Sequence, residues 1–216
     1  ISTERDIGSE SERAVMLHAQ DLFCVRDDRI LFQSLSFDVR EGEILQVKGS
    51  NGSGKTTLLR ILCGLNQSYE GTIHWYQERI EDQTEFFYGS LLFIGHRVGV
   101  NKVLTPVENL RWSCNLQKQV TDKELYTALK EVGLHGFEES QCFTLSAGQQ
   151  QRVSIARLLI SDASLWVLDE PFTTLDSRGV KQLEELLKNH ADAGGAAIVT
   201  THHNLELSAL KELILV

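Results

Sequence analysis

Apolar and polar positions along the chain change period several times, and each change predicts an element. Residues 1–15 (ISTERDIGSESERAV) are polar and charged without apolar period, which predicts a disordered lead or a cloning remnant, with the domain beginning near Met16. Met16 to Val25, Leu35 to Val39 and Ile44 to Lys48 then alternate or run apolar, with turn signals such as Arg40-Glu41-Gly42 between them. The opening is predicted to be β-rich. Thr56 to Leu65 shifts to helical spacing, and a strand pair is expected at Gly71 to Trp75 and Leu91 to Ile94. Thr105-Pro106 reads as an N-cap followed by a first-turn proline, opening a helix to about Leu116, with a second helix over Thr121 to Val132. Helix Ala147 to Ile160, strand Leu165 to Leu168, helix Ser177 to His190 and strand Ala196 to Thr200 then alternate, before a last apolar run from Leu213 to Val216. The economical architecture is α/β: a largely parallel sheet, with the helical stretch from Thr105 to about Cys142 inserted into it.

Composition narrows the class without changing this picture. At 216 residues, 42% hydrophobic, with 16 Gly and only 2 Pro, the chain suits one sizeable core with a small subdomain set into it. A net charge of −9 offers no basic field for nucleic acid phosphates, so nucleic acid is not an expected partner. The four cysteines (Cys24, Cys63, Cys114 and Cys142) are widely spaced and lack a CxxC pair, and no signal peptide is recognisable, so they are expected to be reduced core residues. No apolar run approaches the ~20 residues of a spanning helix, so any membrane role is expected to run through a partner.

Two stretches carry chemistry. The first, GSNGSGKTT, fits G-x-x-x-x-G-K-[ST] and falls between a predicted strand and a predicted helix. Gly49, Ser50, Asn51, Gly52, Ser53, Gly54, Lys55, Thr56 and Thr57 form a candidate phosphate cradle, in which backbone N–H groups and a helix N-terminus face anionic oxygens. Lys55 is placed for the β- and γ-phosphates and Thr56 for Mg²⁺, so a phosphate-bearing nucleotide and Mg²⁺ are the expected ligands. The second stretch, LWVLDEP, is a buried-strand pattern delivering two acids at its C-terminal edge. Asp169 is the candidate to hold Mg²⁺ through water, and Glu170 the candidate general base.

A second anion-friendly helix start lies at Ser146. Its hydroxyl, Gly148 and the free amides of the first turn suit a phosphate, and they equally suit a plain N-cap.

LSAGQQQR resembles the LSGGQ-type signature of ATP-binding cassette proteins, and its position between the glycine-rich loop and LWVLDEP follows that superfamily's order. TTLD (Thr173 to Asp176) resembles the D-loop, and VTTHH (Val199 to His203) resembles the switch-histidine segment, with His202 matching. The resemblance covers Met16 to Val216 and implies a P-loop NTPase fold of cassette type, with a β-rich N-terminal subdomain and an inserted helical subdomain. It further implies a head-to-tail dimer with two ATP molecules at the seam, Ser146, Gly148, Gln149 and Asp176 serving the nucleotide held by the other copy. His202 would contact the γ-phosphate alongside Glu170, leaving His203 a structural histidine.

Two features depart from the superfamily pattern. His96 stands where the Q-loop glutamine is usual, which puts its role as a Mg²⁺ contact in doubt. No tyrosine occupies the usual adenine-stacking position in DLFCVRDDRILF, where Arg26 and Phe23 compete for the role. GHRVGVNKVLTPVENL and the long run LSAGQQQRVSIARLLISDASLWVLDEPFTTLD are similar to the ATPase subunits of bacterial cytochrome c maturation haem exporters, the CcmA family. That resemblance implies peripheral attachment at the cytoplasmic face of the inner membrane, beneath CcmB with CcmC and CcmD. ATP hydrolysis there would release the haem-loaded chaperone CcmE. No CxxCH motif occurs, and direct haem binding is not expected. The competing readings are the ATPase of another exporter or lipoprotein-release system and, more remotely, a soluble switch protein of repair or translation. The latter usually carries two cassettes or long coiled coils.

Overall fold

The computed structural model describes residues 13–114, 119–208 and 210–216. The expected lead therefore lies outside the described residues for 1–12, as does the expected end of the helix at Leu116. The chain is already anchored at Arg13, whose guanidinium donates to the Gly42 carbonyl at 3.0 Å.

Two sheets form. β1 (Val15–Arg26), β2 (Arg29–Arg40), β4 (Glu70–Trp75) and β5 (Glu78–Arg79) make an antiparallel sheet in the order β2-β1-β4-β5. β3 (Ile44–Lys48), β6 (Leu91–Ile94), β7 (Leu165–Asp169), β8 (Ala196–Thr200) and β9 (Leu210–Ile214) make a fully parallel sheet in the order β6-β7-β8-β3-β9. The expected pairing of Gly71–Trp75 with Leu91–Ile94 is thus corrected: these strands lie in different sheets, one beside β1 and the other beside β7. Alternation identifies a strand but not its neighbour.

Every residue of β7 and β8 is buried, which is why both read as unbroken apolar runs. The alternating side chains feed two cores. Leu45, Val167 and Ile198 pack with Leu58, Leu62, Ile73 and Trp75 on the side of the antiparallel sheet and α1 (Lys55–Leu62). Ile44, Leu168 and Val199 pack on the other side with Leu110, Leu129, Ile155 and Leu187. Those residues come from α3 (Pro106–Cys114), α4 (Asp122–Glu131), α5 (Ala147–Ile160) and α6 (Ser177–Asp192). A short α2 (Thr84–Gly89), which the periodicity did not suggest, precedes β6.

The helical stretch starts where its caps require. Thr105 and Glu108 exchange backbone and side-chain bonds at 2.8 and 3.2 Å, and Thr121 forms the same capping box with Glu124. α3 and α4 pack on each other and on α5. All four cysteines are buried, and none is in a disulfide.

Candidate active site

The glycine-rich loop joins β3 to α1 and has a conformation that only glycine adopts comfortably at its root. Gly49 has φ 155, and a Cβ there would lie 2.4 Å from Ser53 Oγ and 2.7 Å from the Leu215 carbonyl. The loop is thereby pinned to the chain's C-terminal strand region. Gly54, with φ 99, caps α1 without any side-chain hydrogen bond, so no side chain competes for the first-turn amides. Lys55 Nζ donates to the carbonyls of Gly49 at 2.7 Å and Ser50 at 3.1 Å, so the ammonium lies across the mouth of the loop.

The acids at the end of β7 meet this loop. Asp169, only 3% exposed, accepts from Thr200 Oγ1 at 2.7 Å and from Thr56 Oγ1 at 3.2 Å through the same oxygen. Its other oxygen, Oδ2, is buried without a hydrogen-bond partner. A carboxylate with an orphaned oxygen beside a threonine hydroxyl is a donor set that fits a hard divalent cation. Glu170 follows in the left-handed region at φ 53, a costly conformation for a side chain of that size. Its amide donates to both the carbonyl and the hydroxyl of Thr200 at 3.0 Å, which holds the turn in place. Its Oε1 stands 3.5 Å from His202 Nε2; the glutamate is 17% exposed and the histidine 67%.

These groups converge on one cavity of about 650 Å³ lined by Asn51, Gly52, Gly54, Lys55, Thr56, Thr57, His96, Asp169, Glu170 and His202. Gly49, Ser50 and Ser53 form the root of the loop behind it. His96 lines this cavity and also an adjoining groove that it shares with Asp169 and Arg157. Arg26 lines the cavity, whereas Phe23 is half-buried on β1 opposite Glu70 and is absent from the lining.

Ser146, Gly148, Gln149 and Asp176 are not brought to the cavity of their own chain. Ser146 and Gln149 form a capping box for α5, the Ser146 hydroxyl accepting from the Gln149 amide at 3.2 Å and Gln149 Oε1 accepting from the Ser146 amide at 2.9 Å. Gly148 is needed for a backbone neighbour: a Cβ there would lie 2.7 Å from the Thr174 carbonyl oxygen. The Asp176 carboxylate caps α6, accepting from the Gly179 amide at 2.8 Å and from Arg152 at 2.6 Å. Those bonds, the Gly179 amide foremost, hold it below the usual carboxylate range. His203 turns away to Glu184, 3.0 Å from its Nε2, and packs beside Phe172.

Sequence reasoning missed several contributors. Thr200 braces both acids. Gln46, 1% exposed in the middle of β3, donates to the Thr201 and His203 carbonyls at 3.4 and 3.2 Å and so fastens the segment carrying His202. A lone glutamine inside ILQVK was the available signal, because a buried amide demands partners. Arg29, Leu31 and Thr173 also line the cavity.

A glycine-rich loop running from β3 into α1, two acids ending β7, and a histidine after β8, the strand that lies between them, define a P-loop ATPase of the cassette class. The chain belongs to the ABC transporter family, whose model matches residues 32–173. It is 52% identical over 193 residues to the cytochrome c biogenesis ATP-binding export protein CcmA of Hahella chejuensis, covering 89% of this chain and 92% of that one. The protein of the same description from Vibrio parahaemolyticus is 48% identical over 88% of this chain and 93% of its own. Among solved structures, a dimeric post-hydrolysis state of the ATP-binding cassette MJ0796 bound to ADP and Pi superimposes with TM-score 0.77 at 25% identity, covering 87% of this chain and 88% of that one.

Proposed function

We propose that this chain hydrolyses ATP as the energy-coupling subunit of the cytochrome c biogenesis haem exporter, where turnover drives release of the haem-loaded chaperone. The observation that carries the reading is the meeting, in one cavity, of Lys55, the Asp169–Thr56 pair and the Glu170–His202 pair. Close similarity to CcmA proteins over nearly the whole chain supports the biological setting.

Lys55 and the loop amides from Gly49 to Thr57 grip the β- and γ-phosphates. Thr56 and Asp169 hold Mg²⁺, which supplies neutralisation of charge developing on the phosphate oxygens. Glu170 takes a proton from the attacking water, and His202 orients the glutamate and contacts the γ-phosphate. Thr200 anchors the Asp169 carboxylate and the Glu170 backbone amide. Ser146, Gly148, Gln149 and Asp176 close the nucleotide site of a second copy in a head-to-tail dimer, a reading that the dimeric cassette MJ0796 supports. This accounts for their distance from the chain's own cavity.

Among the described residues no helix is long and apolar enough to cross a membrane. Attachment at the cytoplasmic face of the inner membrane is through the integral subunits CcmB, with CcmC and CcmD, and haem is handled by those partners.

Glu170→Gln tests the reading, since it keeps shape and removes the base. The variant should bind ATP, accumulate as a dimer in sedimentation, and lose about 100-fold or more in turnover. Hydrolysis at the wild-type rate would remove Glu170 from its role. Recovery from membranes with a different permease and no CcmB-type protein would move the chain to another exporter.

A further inference from the structure

β1, β2 and β4 set His18, Asp38 and His74 in one row across the antiparallel sheet, His18 being opposed to Asp38 on one side and to His74 on the other. Both ladders keep regular register from Leu17 to Ala19, so paired backbone holds the row on either side. Leu17, Ala19, Phe37, Val39, Ile73 and Trp75 flank the row along the three strands and belong to the core. Alternation therefore turns His18, Asp38 and His74 to the outer face, where directly opposed side chains meet.

Three features of this row suit a metal ion. His18 Nδ1 lies 2.5 Å from Asp38 Oδ1. An ionised carboxylate only accepts, so that nitrogen carries the hydrogen and Nε2 of the neutral ring keeps its lone pair. A carboxylate on the far nitrogen is the usual brace of a ligating histidine, fixing its tautomer and raising its basicity. His74 supplies the second feature: its Nδ1 is buried and has no hydrogen-bond partner, a state that folded chains seldom leave without a reason. The third is spacing. Nitrogen–metal bonds of about 2.0–2.1 Å hold the centroids of two imidazoles that share an ion roughly 5–6 Å apart. The His18 and His74 centroids are 5.9 Å apart, with ring planes at 39°.

The surroundings select the ion. Arg40 lies 3.9 Å from Asp38, and Arg79 is opposed to His74 across the next ladder. Positive neighbours and neutral nitrogen donors disfavour Mg²⁺ and Ca²⁺, which need oxygen ligands, and favour ions that bind imidazole strongly. Among the described residues no group of three or more His, Cys, Asp or Glu side chains is arranged to hold a metal. The pair therefore acts alone, and the remaining coordination positions go to water or to a group from another molecule.

We propose that His18 and His74 form a two-histidine site for Zn²⁺ or a similar divalent transition ion, with Asp38 bracing His18 from behind. The probe is Zn²⁺ alone, titrated at neutral pH into the metal-stripped full chain without nucleotide, with Mg²⁺ in excess throughout to fill oxygen-donor sites. Calorimetry reads uptake, and thermal unfolding reads the rise in Tm over each variant's own zinc-free value, so a variant of altered baseline stability remains informative. The wild type should take up zinc and gain Tm. His18→Gln and His74→Gln should each abolish both signals, Asp38→Asn should weaken uptake about tenfold, and His202→Ala, at the nucleotide cavity, should keep both signals. No uptake by the wild type would overturn the site, as would uptake that survives either glutamine substitution. Loss confined to His202→Ala, or wild-type affinity in Asp38→Asn, would overturn it equally.

Discussion

Thr200→Val removes one hydroxyl from a side chain that is fully buried and otherwise keeps its shape. That hydroxyl donates to Asp169 Oδ1 at 2.7 Å and accepts from the Glu170 amide at 3.0 Å. The two losses differ in cost. The Glu170 amide keeps the Thr200 carbonyl, also at 3.0 Å, and is not orphaned. Asp169 loses its shorter bond while Oδ2 already lacks a partner, so the buried carboxylate is left with Thr56 alone. A hydrogen bond to a charged group contributes about 1.5–3 kcal/mol, and valine's strand preference returns only a few tenths. The expected net loss is about 2 kcal/mol, or a Tm lower by about 4–8 °C for a domain of this size. The Mg²⁺ concentration for half-maximal hydrolysis should also rise about tenfold, as when a group orienting a metal ligand is deleted. Thermal unfolding without nucleotide reads the first effect and a Mg²⁺ titration of ATPase the second. Thr200→Ser, which keeps the hydroxyl, should recover both. A valine variant with wild-type Tm and wild-type Mg²⁺ dependence would refute the bracing role of Thr200.

Ser146 separates its two uses by substituent. Ser146→Ala breaks the α5 capping box and should lower stability by about 1 kcal/mol, seen as a small drop in Tm. Ser146→Arg should leave ATP binding to a single copy intact yet stop hydrolysis, because its bulk falls on the partner's site; turnover at the normal rate would exclude the shared site. Asp176 gives a pH signature. Its folded pKa is depressed by the Gly179 amide and Arg152, so its stabilisation is present above the unfolded value of about 3.9 and is lost as pH falls through the lower folded value. Asp176→Asn keeps the cap acceptor without the titration. In urea melts the stability gap between wild type and variant should hold steady from pH 7 to 5 and close below pH 4; a constant gap down to pH 3 would mean that the charge plays no part.

Much of the site was legible because its chemistry is local. Lys55 and Thr56 sit at fixed offsets in a loop whose glycines are demanded by backbone geometry, as the clash at Gly49 shows. Asp169 and Glu170 ended an apolar run whose length matched a buried strand. Elements defined by periodicity and caps fell into place in the same way, with α5 spanning Ala147–Ile160 as expected. What stayed hidden depends on chain segments far apart. The assignment of β4 and β6 to separate sheets rests on neighbours that no alternation pattern names. Thr200 and Asp169 are 31 residues apart, and their bond exists only because β7 and β8 pair in register. Ser146 was ambiguous for a deeper reason: a cap and an anion site draw on the same hydroxyl and the same free amides.

The segment from Asp169 to Asp176 ties these parts together. At one end Glu170 is fixed by Thr200 in a left-handed turn inside the chain's own cavity. Its carbonyl accepts from the Thr173 amide at 3.3 Å, and the Leu175 amide bonds back to Phe172 at 3.2 Å, so the loop is wound on itself. Thr174, also left-handed with φ 71, then presses its carbonyl oxygen against the backbone of Gly148, at the start of the helix proposed to serve the other copy. Asp176 ends the segment by capping α6 and binding Arg152 of α5. Glu170, the proposed base, and the helix proposed to close a second copy's site thus share a short, strained and tightly packed connection. Packed backbone transmits displacement because it has no slack to absorb it. In the proposed dimer, movement of the Ser146–Gly148 turn would meet the Thr174 carbonyl directly, and glycine at position 148 is what allows those two backbones to lie in contact.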